Sequence, residues 1–108
     1  LLPRLYSIST VALGHGSDAE VYLQSSNAGV NQFHLIFTEP SGAGGPVFGA
    51  PRARASRAGG ASTALRLVRL SPDHYIAYAV FGPGTWGFTV SVPVTGRSRT
   101  FTVDRVLS

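Results

Sequence analysis

Three histidines, His15, His34 and His74, and five carboxylates are the chemically versatile side chains of this 108-residue sequence. Imidazole nitrogens bind divalent zinc or copper, and a neighbouring carboxylate completes such a set. Two of the histidines with Asp18, Glu20 or Asp73 are therefore the candidate ligands of a Cu(II) or Zn(II) site. His15 and Asp18 are the closest local pair, on one glycine-flanked turn (Gly14-His15-Gly16-Ser17-Asp18). Their spacing matches no established metal motif. His34 and His74 each fall within an alternating segment, opposite its main aromatics. They meet only if those two segments are neighbours in a sheet. Solvent-facing or hydrogen-bonded histidines are the plainer reading of all three.

Other chemistries fail on spacing. Ser17, His15 and Asp18 are too close in sequence to converge as a catalytic triad, and so are Ser71, Asp73 and His74. No Gly-x-Ser-x-Gly elbow occurs. Asp18 and Glu20 are the only close carboxylate pair, whereas a glycosidase sets its two across a cleft. The glycine-rich stretch from Ser41 to Gly49 lacks the lysine and the strand-to-helix context of a phosphate loop. The sequence predicts no catalytic residue and a non-enzymatic chain. Cysteine is absent, so disulfides, thiolate zinc sites, iron–sulfur clusters and thiol catalysis are excluded. Methionine is absent as well, which rules out Cu(I) capture by soft side chains within this chain.

The net charge is +4, and all nine basic residues are arginine. Arg52, Arg54, Arg66 and Arg69 alternate with small or apolar residues, as on a wet strand face. If their strands pair, these four make a basic face for an acidic protein partner or anionic lipid headgroups. The stacking aromatics of single-strand nucleic-acid binders are missing between them, so no nucleic-acid partner is expected. Tyr22, Tyr75 and Tyr78 invite a carbohydrate-binding reading. Alternation puts Tyr75 and Tyr78 on opposite faces, so one platform cannot use both.

The elements that must position these residues are strands. Phe33, Leu35 and Phe37 alternate with His34, Ile36 and Thr38 in the clearest one. Tyr75, Ala77, Ala79 and Phe81 alternate with His74, Ile76, Tyr78 and Val80. Trp86, Phe88, Val90 and Val92 share a face, and Phe101 and Val103 repeat the pattern. Residues 52–56 alternate arginine or serine with alanine. Thr63 to Leu70 reads as one strand, with Arg66 and Arg69 out of register and a bulge expected there. Thirteen glycines and seven prolines supply the turns. About seven antiparallel strands without an amphipathic helix predict an all-β, immunoglobulin-like β-sandwich. Trp86 is its expected core anchor, packed with Phe33, Phe37, Phe88 and Phe101. Residues 1–17 are expected to be an N-terminal extension or linker and 18–108 the sandwich. No run of apolar residues approaches a membrane span, and no initiator methionine or signal-peptide pattern opens the chain, as in an excised domain or processed product.

The stretch from Gly29 to Val103 resembles a known family. Gly29-Val30-Asn31 enters the strand with Phe33-His34-Leu35, and a glycine-rich loop follows with Gly45-Pro46-Val47. A strand carrying Tyr75 leads to Gly82-Pro83-Gly84-Thr85-Trp86-Gly87-Phe88-Thr89-Val90. Over about two thirds of the chain this layout is similar to the YtkA-like/FixH-like extracytoplasmic β-sandwich, as found at the C-terminal end of CopD/YcnJ-type copper-resistance membrane proteins, especially in actinobacteria. The resemblance implies an outward-facing, non-enzymatic accessory or interaction domain near copper transport or resistance. Its partner would be another protein or the parent membrane protein, with the anchor in segments outside this chain. The family's copper-handling relatives use histidine with methionine or acidic ligands, and no ligand set carries over residue by residue. A generic adhesion or protein–protein module and a small carbohydrate-binding module are the alternatives.

Overall fold

The computed structural model describes residues 8–14, 16–38, 49–94 and 97–108. Among the described residues nine strands form: β1 (Ser9–Gly14), β2 (Ser17–Leu23), β3 (Gly29–Thr38), β4 (Arg52–Arg57), β5 (Ser62–Leu65), β6 (Val68–Ser71), β7 (His74–Phe81), β8 (Gly84–Val94) and β9 (Arg97–Leu107). Every strand pairing is antiparallel. The order is β1-β2-β3-β7-β6 in a five-stranded sheet and β5-β4-β8-β9 in a four-stranded one. Taking β2 to β9 in turn as strands A, B, C, C′, D, E, F and G gives sheets A-B-E-D and C′-C-F-G. That is the immunoglobulin-like arrangement, with β1 added at the edge beside strand A.

Alternation builds the core between the sheets. Ala19, Val21, Phe33, Leu35, Phe88 and Val90 are essentially inaccessible, and Phe81 and Val103 close around them. Phe88 lies 5.4 Å from both the Phe33 and the Phe81 ring centroids. Phe37 meets Tyr75 edge-on. Each such ring contributes about 1.5–3 kcal/mol through area removed from water.

Three expectations change. The predicted extension at residues 1–17 contains β1, which pairs with β2 from Ser9↔Val21 to Gly14↔Ser17. Val11 and Leu13 give it an inward face, so the folded unit begins before residue 18. The single strand predicted over Thr63–Leu70 is two strands. β5 pairs with β4 in one sheet and β6 with β7 in the other. Arg66 and Arg69 fall out of register because the chain crosses between sheets at Arg66–Leu67. These two changes raise the expected seven strands to nine.

The third change concerns Trp86, which is half-buried and not at the centre. Its indole N–H donates to the Gly82 carbonyl at 2.8 Å, and its ring meets Phe81 edge-on at 5.1 Å. The Arg57 guanidinium covers the indole from 5.9 Å and also donates to the Pro83 carbonyl. Trp86 thus clamps the Gly82-Pro83-Gly84 corner, where the chain passes from one sheet to the other. Gly84 has φ +129°, and a Cβ there would stand 3.2 Å from Arg57 Nε; both facts favour glycine.

Two arginines close the opposite side. Arg99 donates to the Ala12 carbonyl at 2.9 Å, and Arg105 to Ser9 Oγ at 2.8 Å. Both tie β9 to β1 across the sheets. Arg105 stands where the strand pattern calls for an inward residue, and its alkyl stem can lie along the core while the head reaches polar groups. Asn31, another buried polar residue, pins the turn before β3. Its Nδ2 donates to Ser25 O at 2.9 Å, and its Oδ1 accepts from the Gln32 N–H at 2.9 Å.

Candidate functional site

The strand order makes β3 and β7 direct neighbours, the condition on which His34 and His74 can meet. His34 is the Cα partner of Ile76, and His74 that of Ile36. The two histidines are therefore diagonal on the outer face of the five-stranded sheet, within reach for aromatic side chains. Their ring centroids are 5.2 Å apart, and His34 Nδ1 lies 3.0 Å from His74 Nε2.

Neighbours fix the His34 ring. Tyr22, directly across on β2, stacks on it at 4.4 Å with planes 5° from parallel. Gln32, two residues back and on the same face, places Oε1 3.0 Å from His34 Nε2. An amide oxygen only accepts, so Nε2 carries the proton and donates. Nδ1 of the neutral ring then presents a lone pair, and His74 Nε2–H donates to it. His34 is only 7% exposed. Burial, and secondarily the nearby His74, holds its pKa below the ordinary histidine value. The pair is thus an oriented imidazole dyad, buried at His34 and half-open to solvent at His74.

The carboxylates considered with the histidines stand apart. Glu20 shares a cross-strand row with His74, but Ile36 on β3 lies between them. That is two strand spacings, about 10 Å. Asp73 accepts a hydrogen bond from Ser71 Oγ at 2.9 Å in the turn before β7. Among the described residues no group of three or more histidine, aspartate or glutamate side chains could hold a metal ion. His15 lies outside the described residues. Ser17, two residues later in the sequence, opens β2 and is 1% exposed.

The arginine face divides. Arg52 and Arg54 lie exposed on the outer side of the four-stranded sheet, opposite Ser91 and Thr89. Arg54 is held by Ser62, through Nε to Oγ at 2.9 Å and a second N–H to the carbonyl at 3.1 Å. Arg52, Arg54, Leu65 and Leu67 border a hollow of about 430 Å³. Arg66 lies in the crossing between sheets, and Arg69 on β6 belongs to the five-stranded sheet. The predicted four-arginine face does not form, because that crossing separates the two pairs. The tyrosines separate as well: Tyr75 points inward to Phe37, while Tyr22 and Tyr78 face out.

The same outer face that carries the histidines has an apolar stretch that the sequence reading did not single out. Val30 and Val80 are directly opposed across β3 and β7 and 77% and 73% exposed. Tyr78 and Val68 continue it at 62% and 50%. The signal was present in the alternation, since Val30 falls on the His34 side of β3 and Val80 on the His74 side of β7.

No protein-family model and no curated protein matches the sequence. Among solved structures, the fold is similar to part of a crystal structure of a DUF4785 family protein from Legionella pneumophila, with a TM-score of 0.65 and 12% sequence identity. The match covers 89% of this chain and 29% of that one, so the chain spans less than a third of the length of that protein. At this identity the likeness speaks to the fold alone.

Proposed function

We propose that the domain is a non-enzymatic interaction module that docks a protein partner through the outer face of its five-stranded sheet. The observation that carries this reading is the opposed Val30–Val80 pair with Tyr78 and Val68 beside it. Isolated exposed apolar residues are ordinary, whereas contiguous ones with an aromatic among them are characteristic of docking faces. β3 and β7 are paired with each other through this stretch, and the reading rests on the side chains of the outer face. An extracytoplasmic setting beside a membrane protein is supported by the sequence resemblance and by the frequent use of such sandwiches at cell surfaces. The test is a photo-crosslinking amino acid in place of Tyr78, with the protein in membranes of its own cells. A discrete adduct that disappears with Val80→Glu is expected. Adducts indifferent to that substitution, or none, would refute the reading.

A link to copper transport or resistance is the second reading, favoured by the imidazole dyad. It expects lower copper tolerance in cells whose copy of this protein carries His34→Gln and His74→Gln together. Unchanged tolerance removes it.

A further inference from the structure

We propose that the outer face of the five-stranded sheet docks a second copy of this chain, about a twofold axis that runs between β3 and β7 and along them. The proposal rests on the docking reading of the same face and names its occupant.

The face carries the pattern that a twofold pairing needs. Every outward position of β3 from Val30 to Thr38, and of β7 from His74 to Val80, holds a side chain without a carboxylate or a guanidinium. Val68 and Leu70 on β6 extend the exposed apolar strip of Val30, Tyr78 and Val80. Charge stands on the flanks. Asp18 and Glu20 face outward from β2, next to β3. Arg69 is exposed on β6, next to β7, and Arg66 is exposed just before that strand. One flank is acidic and the other basic.

The strand order makes the two flanks equivalent under rotation. The strands run β2-β3-β7-β6 across the sheet. An axis midway between β3 and β7 therefore has β2 and β6 at equal distances, about 7 Å to either side. Rotation lays β3 of one copy over β7 of the other, and the acidic flank over the basic one. Val30 then meets the partner's Val80, and Val80 the partner's Val30, the reciprocity of an isologous interface. Glu20 lies in one cross-strand row with Ile36, His74 and Ser71, and Arg69 is about 3.4 Å along the strand from that row. Packed sheets stand about 10 Å apart, a gap that a glutamate and an arginine span together. Within one copy the same two residues are three strand spacings apart, about 14 Å. Among the described residues neither side chain has a hydrogen bond or an ion pair.

The area suits a weak, reversible dimer. Four strands about 4.8 Å apart, each with about eight residues of 3.4 Å rise, present roughly 500 Å² before side-chain relief. A standard interface buries about 800 Å² per partner. The net charge of +4 opposes self-association, and the crossed acidic and basic flanks offset it where the copies meet.

The experiment is sedimentation equilibrium of the full chain from about 5 to 500 µM, the range of weak specific affinities. A reversible monomer–dimer equilibrium is expected. Val80→Glu, at an exposed position that tolerates the change, sets a carboxylate against the partner's Val30 and weakens the dimer by more than tenfold. Glu20→Arg and Arg69→Glu each weaken it about fivefold, and the two together restore it. Glu20→Arg raises the net charge and Arg69→Glu lowers it, so general repulsion alone moves them in opposite directions. Circular dichroism confirms that each variant is folded. A chain that stays monomeric throughout, a dimer indifferent to Val80→Glu, or charge reversals that do not rescue each other overturns the proposal. A monomeric chain whose crosslinker at position 78 still captures a different protein, in a manner that depends on Val80, overturns the second copy and leaves the docking reading standing.

Discussion

Truncating Phe88 tests which aromatic ring holds the two sheets together. Its side chain is fully inaccessible, between Phe33 and Phe81 at 5.4 Å each. Its main chain is fixed on both sides, opposite Ala55 of β4 and Val103 of β9. The backbone therefore cannot collapse into the space that Phe88→Ala would leave. Loss of transfer energy and an unfilled cavity together cost about 3–5 kcal/mol for such a site. Trp86→Phe removes one hydrogen bond, from the indole N–H to Gly82 O, and a strip of half-buried surface. That substitution should cost about 1–2 kcal/mol. Urea unfolding followed by far-ultraviolet circular dichroism measures both without relying on the indole. The Phe88→Ala midpoint should fall clearly further than the Trp86→Phe midpoint, with similar slopes. Total stability for a domain of this size is roughly 5–15 kcal/mol, so the alanine variant can fail to fold. Phe88→Leu, at about 1–1.5 kcal/mol, then supplies the measurement. A Trp86→Phe loss larger than that of Phe88→Ala, or a Phe88→Ala loss below about 1 kcal/mol, would refute this placement of the core.

Two further outcomes follow from the buried polar groups. His34, whose pKa is lowered by burial and then by His74, stays neutral in the fold while the unfolded chain takes up its proton first. Stability from this residue is complete above the ordinary histidine value of about 6.5 and is lost as pH falls below it, until the folded ring also protonates. The slope is at most about 1.4 kcal/mol per pH unit for one proton, and His34→Gln should flatten it. His74, Gln32 and Tyr22 face the ring. Urea midpoints between about pH 7.5 and 5 that do not fall, or that fall equally in His34→Gln, would count against it. Asn31→Ala leaves the Ser25 carbonyl and the Gln32 N–H without their side-chain partner and should cost about 1–3 kcal/mol, read by thermal unfolding. A change within about 0.5 kcal/mol would mean that the turn does not depend on it.

The strand faces were legible because alternation is local. Phe33, Leu35 and Phe37, then Phe88, Val90 and Val92, point inward as their spacing requires. Trp86 has the same parity as Phe88, yet position along a strand matters as much as parity. It lies beyond the middle of the sandwich, at the corner, where no local pattern marks the edge of the opposite sheet. The sheet change at Arg66–Leu67 was visible only as an irregularity, since a bulge and a crossing disturb alternation alike. The His34–His74 contact spans 40 residues and depends on which strands are neighbours, a non-local fact. The arginine face failed for the same reason: equal alternation in β4 and β6 does not put them in one sheet. Arg99 and Arg105 resemble surface charges in sequence, and only the approach of β9 to β1 reveals their role.

The imidazole dyad is tested most directly by long-range proton–nitrogen NMR of the histidine rings at neutral pH. His34 should show the Nε2–H tautomer, with Nδ1 shifted as a hydrogen-bond acceptor and with cross-relaxation to both His74 and Tyr22. Two rings averaging between tautomers and showing no contact with each other would contradict it.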